Sequence, residues 1–357
     1  MTASKTRSIV RFLISSVVLL EAMCTTKAFD QTEQTNAEAF LDFFNTTVLK
    51  RSYNKVVASW AYSTNLTEYN RQVKINISLE YGIFFAEVLK NASKFNLTKL
   101  KDDTARQLKL ISATAQLKNT SGRAKVEVLG SEMESIYSKA KVGNDSLSPE
   151  LSNIMAKSRN YSELLRAWWG WRNVSGRKMR KSYREFVALT NMGAKENGFE
   201  DRGEWWRSWY EVDDLPTKVE NLWNDLKPLY LELHAYVRHK LTKTYPAKVS
   251  ADDYIEAHLL GNMWAQNWVN IYDLVEPYKG KSSLDVTSNL KKDGRYNTST
   301  KLTELAESFF VSLGLEKLPA GFYEKSLLEK PKDRDVVCHA SAWDFQLYRD
   351  FRFVLIF

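Results

Sequence analysis

Residues that break helices are scarce in this sequence, and this constrains its fold more than any other feature. The 357 residues include 14 glycines and 7 prolines, both well below average usage. Apolar residues instead recur at spacings of three and four, as one face of an α-helix requires. With 44% hydrophobic and 26% charged residues, the chain has enough apolar surface to bury a core. We therefore predict a mainly α protein.

Three segments show the helical spacing clearly. Residues 35–38 read Thr-x-x-Glu, a capping box in front of an apolar run. Leucines recur along residues 222–241, where Pro228 either bends the helix or marks its true start. Residues 302–313 form the third pattern and end before Gly314, a helix stop. We expect all three apolar faces to lie in the core.

The last residues differ from the rest of the chain. Residues 336–343 are rich in β-forming and small residues, which predicts a short strand. Residues 351–357 are apolar and lead into no closing turn or helix. A domain rarely stops on such a strand because its edge invites aggregation. We therefore expect the natural polypeptide to continue beyond Phe357.

The first segment has the layout of a secretory signal peptide. Lys5, Arg7 and Arg11 precede nine mostly apolar residues, 12–20. This run is too short to span a bilayer, so we assign residues 1–28 to a signal peptide. The alternative is a buried first helix. Since no later stretch approaches 18 apolar residues, we expect no transmembrane anchor and a secreted, extracellular protein.

Glycosylation acceptor sites and cysteines bear on the same compartment. The Asn-x-Ser/Thr pattern is frequent, as in a secreted glycoprotein. It occurs at Asn45, Asn65, Asn76, Asn91, Asn96, Asn119, Asn144, Asn160, Asn173 and Asn297. Cys24 falls in the signal segment, which leaves Cys338 alone in the mature chain. Either the disulfide partner of Cys338 is missing or Cys338 is a buried thiol.

Local catalytic motifs are missing from the sequence. The four histidines are His234, His239, His258 and His339, and none lies in a His-Glu-x-x-His pattern. A catalytic zinc needs three protein ligands, so we assign no metal ligand. There is no Gly-x-Ser-x-Gly motif and no glycine-rich phosphate loop. The net charge of +8 is dispersed, which argues against nucleic-acid binding.

Three stretches combine tryptophans with polar residues: 167–172, 205–211 and 257–272. Tryptophans at helical spacing are usually core residues. Arg172, Asn262 and Gln266 are more informative, because a buried polar group needs a partner.

These stretches carry a resemblance to a known family. Residues 258–275, His-Leu-Leu-Gly-Asn-Met-Trp-Ala-Gln-Asn-Trp-Val-Asn-Ile-Tyr-Asp-Leu-Val, resemble angiotensin-converting enzyme and its invertebrate relatives. Residues 329–345, 206–211 and 228–238 fit the same family in order and approximate spacing. The resemblance runs from about residue 30 to Phe353.

The resemblance implies a two-lobed helical ellipsoid around a deep central cleft. The family are zinc peptidyl-dipeptidases that remove C-terminal dipeptides from oligopeptides and respond to chloride. Their zinc ligands follow the segment that matches residues 339–345. We therefore expect residues 29–357 to be an incomplete domain that contains no zinc site and is inactive by itself.

Individual site residues follow from the resemblance as well. Gln266 matches the residue that binds the substrate's C-terminal carboxylate, with Asn267 beside the side-chain pocket. His339 matches a residue that hydrogen-bonds the substrate or transition state, and Ala340 and Ala342 match the strand that pairs with the substrate backbone.

Two further assignments depend on the resemblance. Arg172 and Tyr210 match chloride ligands, and Cys338 matches a cysteine whose disulfide partner lies downstream. The main hypothesis is the amino-terminal part of a peptidyl-dipeptidase. The alternatives are a secreted, non-catalytic peptide-binding protein of the same family and an unrelated helical carrier.

Overall fold

The structure is a computed structural model, and it describes residues 30–252, 254–281, 286–292, 294, 296–337, 339–346 and 349–355. The expected signal peptide and Cys338 lie outside the described residues.

Helices dominate the part of the chain that the structure describes. The α-helices are α1 (Gln31–Ser63), α2 (Glu68–Ala92), α3 (Asp102–Ser112), α4 (Thr120–Lys139), α5 (Ser152–Lys157), α6 (Tyr161–Val174), α7 (Gly176–Glu196), α8 (Arg202–Ser208), α9 (Leu215–Thr244), α10 (Tyr272–Val275), α11 (Thr287–Lys292), α12 (Ser299–Ser312) and α13 (Phe322–Lys325). The strands are β1 (Lys141–Val142), β2 (Asp145–Ser146), β3 (Ser341–Asp344) and β4 (Phe351–Val354). They form two small antiparallel pairs, β1 with β2 and β3 with β4. The prediction of a mainly α fold is confirmed, and the two-lobed shape with a cleft stays a prediction.

The first helix begins earlier than the capping box indicated. Asp30 accepts hydrogen bonds from the backbone amides of Thr32 (3.0 Å) and Glu33 (3.1 Å), so it caps α1. Thr35 lies inside the helix and donates to the carbonyl of Gln31. The start predicted at residues 35–38 is wrong because an aspartate five residues earlier already satisfies the first free amides.

The leucine row of α9 is largely exposed. Pro228 lies inside this helix and does not mark its start. Val237 and Leu241 near its end are buried, whereas Leu222 and Leu229 are each 68% exposed. The prediction that this face lies in the core is therefore wrong for the first half of α9.

The structure confirms the predicted bounds of the third periodic segment but not its predicted burial. Thr298 accepts from the amide of Lys301 at 3.3 Å and caps α12. Gly314 follows with a φ of +92°, the left-handed conformation that glycine adopts without steric cost. Phe309 and Leu313 are exposed, so this face too is not a core face.

The described residues form two compact units. The first comprises the described parts of Met1–Thr47 and Phe85–Ala113. Its apolar core contains Ala37, Leu41, Ala92, Leu100 and Leu108. Gln34 is fully buried there and is satisfied, because its amide donates to Thr104 (2.7 Å) and accepts from the amide of Lys101 (2.9 Å).

The second unit comprises Val48–Phe84 and the described parts of Thr114–Phe357. Its main core brings α5, α6 and the end of α9 together with the segment that follows Ala257. The buried residues of this core include Leu151, Met155, Ala167, Trp171, Leu241, Leu259, Met263 and Ile271. A smaller cluster contains Val336 and Val354 with Trp60, Leu327 and Trp343 packed against them.

Among the described helices, none is both long and apolar enough to cross a lipid bilayer.

Candidate functional site

The β3–β4 hairpin presents one edge outward. Ala342 lies opposite Phe353 and Asp344 opposite Phe351 in this antiparallel pair. The amide of Phe345 donates to the carbonyl of Asp350 at 3.0 Å. Since bonded and non-bonded pairs alternate in an antiparallel ladder, Trp343 bonds to β4. The amide and carbonyl of Ala342 therefore face away from β4.

The opposite edge of the hairpin is already used. The amide of Leu327 donates to the carbonyl of Phe353, and the amide of Leu355 donates to the carbonyl of Leu327, both at 2.7 Å. Within the described residues, β3 pairs only with β4. The outer side of β3 is thus an unpaired strand edge, where a further extended segment could add by backbone hydrogen bonds.

Aromatic side chains pack against the hairpin and hold it in place. Trp343 and Phe345 contact Trp60 edge-on, with ring centres 5.5 and 5.8 Å apart. Arg352 lies 3.7 Å from the ring centre of Phe345 and donates to Asp350 at 2.7 Å. The bonds from Arg352, and secondly from Lys325, hold the pKa of Asp350 below its usual value. This buried support positions β3 without occupying its outer edge.

His339 is exposed directly before the outward strand. Its Nδ1 lies 2.7 Å from the carbonyl oxygen of Ala340. A carbonyl can only accept, so Nδ1 carries the hydrogen. In the neutral imidazole Nε2 then keeps its lone pair, and it becomes a second donor when the ring is protonated. Ala340 and Ala342 are also exposed.

Gln266 lies on a turn that is tightly bonded through its main chain. The side-chain oxygen of Asn262 accepts from the amides of Trp264 (2.9 Å) and Gln266 (3.3 Å). Ala265 has a φ of +56°, and its carbonyl accepts from the indole of Trp268 at 2.9 Å. The side chain of Gln266 is exposed and makes no hydrogen bond with the described residues. Its main-chain amide is therefore held by the turn, and its side-chain amide is left available.

Asn267 is partly committed to local structure. Its side-chain oxygen accepts from the amide of Val269 at 2.9 Å. The exposed side chain thus shapes the start of the short 3₁₀ turn at Val269–Ile271. Its NH₂ group makes no hydrogen bond with the described residues.

Arg172 connects α6 to the same turn. It donates to the carbonyl of Met263 at 2.8 Å and to that of Trp168 at 3.1 Å. Its guanidinium lies 3.7 Å from the ring centre of Trp168. Burial lowers its pKa, but a guanidinium stays charged in proteins. Tyr210, the other expected chloride ligand, is exposed at 69%, and no described contact joins it to Arg172.

The described contacts divide the expected site residues into two groups. Gln266 and Asn267 lie on the turn after Gly261, which Arg172 contacts from α6. His339, Ala340 and Ala342 share the β3 edge. The sequence interpretation missed three supporting residues, namely Trp60, Met263 and Arg352. Each of these residues acts through tertiary contacts, which a local sequence motif does not predict.

The glycosylation sequons lie at accessible positions, and none of their asparagines is buried. Three of them also cap helical turns: Asn96 accepts from the amide of Thr98, Asn119 from Gly122 and Asn160 from Glu163. Glycosylation of the ten sites stays a prediction.

The zinc implied by the resemblance does not fit the residues that the structure describes. Among them, no three His, Cys, Asp or Glu side chains lie close enough together to hold a metal ion. His258 is buried against the ring of Tyr161, and its Nε2 has no partner among the described residues. His234 contacts the rings of Tyr230 and Trp268. These positions explain His234 and His258 as packing residues.

Known proteins match almost the whole described chain. The Peptidase M2 family model, described as angiotensin-converting enzyme, matches residues 31–354. An angiotensin-converting enzyme from Theromyzon tessulatum is 43% identical over 333 residues, covering 89% of this chain and 54% of the relative. Those from Rattus norvegicus and Sus scrofa are 41% and 42% identical over 335 residues, covering 90% of this chain and 25% of each relative. The sequence thus spans between a quarter and about half of these relatives' lengths. It belongs to the angiotensin-converting enzyme family.

Proposed function

We propose that this chain supplies the peptide-binding wall of a secreted peptidyl-dipeptidase, a protein that takes oligopeptides by their C-termini. The single observation that carries the proposal is the outward edge of β3. Main-chain bonding at that edge suits a ligand of variable sequence, because backbone hydrogen bonds do not depend on side chains.

Gln266 suits the carboxylate end of such a peptide. A side-chain amide offers two N–H donors without adding a second buried charge. The turn that bonds the main chain of Gln266 to Asn262 fixes the backbone position from which that side chain extends. Asn267 has an NH₂ group available for a neighbouring contact.

His339 would contact the bound peptide from the start of the strand. Its Nδ1 bond to the carbonyl of Ala340 orients the ring and leaves Nε2 to accept from a peptide N–H, or to donate to a carbonyl when protonated. Because the described residues do not fit zinc, we derive no hydrolytic step. We propose that the 357 residues alone bind peptides without cleaving them.

Chloride binding by Arg172 and Tyr210 belongs to the same proposal. The guanidinium has five N–H groups, and its bonds to Trp168, the sulfur of Met263 and the carbonyl of Met263 leave others available. The hydroxyl of Tyr210 makes no hydrogen bond with the described residues. A disulfide at Cys338 and a signal peptide over residues 1–28 complete the proposal for a secreted protein.

Peptide titration by calorimetry tests the binding mode. A pentapeptide with a free C-terminus should bind about tenfold more tightly than its C-terminal amide, since a charged acceptor forms the stronger hydrogen bond. The variant Gln266→Ala should remove this difference. Gln107→Ala, which truncates an exposed glutamine of α3, should preserve it.

A second series tests the strand edge. Peptides N-methylated at successive positions should lose affinity at alternate residues, because only alternate amides of an added strand face β3. Equal loss at every position, or no loss at any, would contradict strand addition.

The second candidate is a secreted, non-catalytic peptide-binding protein. It would keep part of the peptide cleft, with the same β3 edge and the same turn at Gln266. Sequencing of the transcript past codon 357 separates the two candidates: an in-frame His-Glu-x-x-His supports the peptidase, and a stop codon supports the binding protein. N-terminal sequencing of protein recovered from culture medium tests cleavage near residue 28.

A further inference from the structure

The second compact unit contains a cavity that the peptide-binding proposal does not use. It has a volume of about 350 Å³ and is lined by residues of α1, α2, α4, α7 and α8, together with residues just before α4. This volume lies in the range of small-molecule sites.

Positive charge predominates in the lining. Lys55, Lys74, Arg123 and Arg202 all line the cavity, whereas Glu127 is its acidic residue. Lys74 is neutralised by Glu134 at 2.7 Å. The other three cations form no ion pair with the described residues. Partly buried cations without counter-charges are costly, so the cavity favours an anion.

Arg123 is held in place with its Nε donor unused. Its Nη1 donates to the carbonyls of Leu117 (2.9 Å) and Lys118 (3.0 Å), and its Nη2 donates to the hydroxyl of Thr120 (3.1 Å). Its Nε is buried and has no partner in the described structure. The hydroxyl of Ser131, 2% exposed, is likewise unpartnered. Buried donors without acceptors are rare in native proteins, and both of these lie in the cavity lining.

The lining also contains apolar residues and leaves room for more than a single ion. Leu79, Val126 and Phe186 contribute hydrocarbon surface. A Cβ added at Gly82 would lie 3.5 Å from Nε of Arg123, and one added at Gly130 would lie 3.9 Å from the Phe186 ring. These are ordinary contact distances, so both glycines leave fillable space.

From this arrangement we propose that the cavity is a binding site for a small organic anion with a carboxylate or phosphate head and a short apolar body. The head accepts from Nε of Arg123, with Lys55 and Arg202 balancing its charge. The apolar body lies against Phe186 and its neighbours. The site is independent of the β3 edge.

Calorimetry on the purified protein at constant ionic strength tests the ligand class with three probes. Hexanoate and hexyl phosphate carry the two oxyanion heads, and hexanamide is the neutral counterpart. At least one oxyanion should bind about tenfold more tightly than hexanamide. The oxyanion with the higher affinity identifies the preferred head group. Equal affinity of all three probes, or binding of none, would overturn the proposal.

Variants locate the site. Arg123→Gln should weaken the preferred oxyanion about tenfold, and Gly82→Leu should abolish binding by filling the space beside Nε while every charge stays. Arg180→Gln removes an equal charge from an exposed position of α7 and should change nothing. If Arg123→Gln does not fold, as judged by its thermal transition, Lys55→Gln replaces it. Binding that survives Gly82→Leu in a folded protein would refute the assignment.

Discussion

The guanidinium of Arg172 donates to the main-chain carbonyl of Met263 across a sequence separation of 91 residues, at 2.8 Å. This bond ties α6 to the turn that carries Gln266. A residue expected from resemblance to bind chloride therefore also braces the proposed peptide site.

Arg172→Lys should destabilise the protein by about 1–3 kcal/mol, because a lysine cannot keep both carbonyl bonds and the contact with Trp168. Urea denaturation measures this change. Arg166→Lys is the matched control in the same helix, since the contact of Arg166 within the described residues is a 3.3 Å ion pair with Asp145 at the surface. That pair should contribute little. Equal destabilisation of the two variants would contradict the bracing role.

His258 should make the protein less stable in mild acid. Burial lowers its pKa from 6.5 to about 4, so the folded state holds the ring neutral while the unfolded state binds a proton. Stability is therefore lost as pH falls from about 6.5 toward about 4, by up to about 3 kcal/mol. Denaturation at a series of pH values should show this slope reduced in His258→Phe, which keeps a ring against Tyr161. His239→Phe, at an exposed position of α9, should retain the slope.

Asp350 should support the β3–β4 hairpin in its ionised form. Its pKa is lowered chiefly by Arg352 and then by Lys325, so its contribution is present above its ordinary pKa and is lost as pH falls through the lowered value. Asp350→Asn should destabilise the protein by about 1–3 kcal/mol at neutral pH. Hydrogen exchange should be faster at the amide of Phe345. Asp333→Asn, at a carboxylate 71% exposed, should leave that amide protected.

Two helix glycines should respond oppositely to the same substitution. A Cβ at Gly193 would overlap the carbonyl oxygen of Ala115 and lie 2.9 Å from the amide of Leu117, so Gly193→Ala should lower the melting temperature. Gly130→Ala meets nothing closer than 3.9 Å. It should stabilise the protein by about 0.5–1 kcal/mol through helix propensity. Thermal unfolding of both variants checks the contrast, and a shift of the same sign in both would contradict it.

The helical class and the bounds of α12 could be predicted from spacing and stop signals. Burial could not, as Leu222 and Leu229 show. Periodicity reveals that residues share one face of a helix, but not which other part of a protein covers that face. The start of α1 was missed for a related reason, because two capping sequences competed and only one lies where the helix begins.

The candidate site was predictable only through resemblance. Residues 257–272 carry tryptophans at helical spacing, yet Gly261 and Ala265 both adopt positive φ and replace a helix with turns. The local composition does not indicate that Ala265 would adopt a positive φ. The side-chain oxygen of Asn262 supplies the stabilising bonds, and they become visible only in three dimensions.

The asparagines at positions 96, 119 and 160 each use the side-chain oxygen to start a helical turn. A sugar on the same residue would be attached through the nitrogen of the amide. The two tasks thus fall on different atoms of one side chain, and a carbohydrate there could project into solvent while the oxygen still receives its backbone N–H. Helix capping and glycosylation therefore do not compete at these three asparagines.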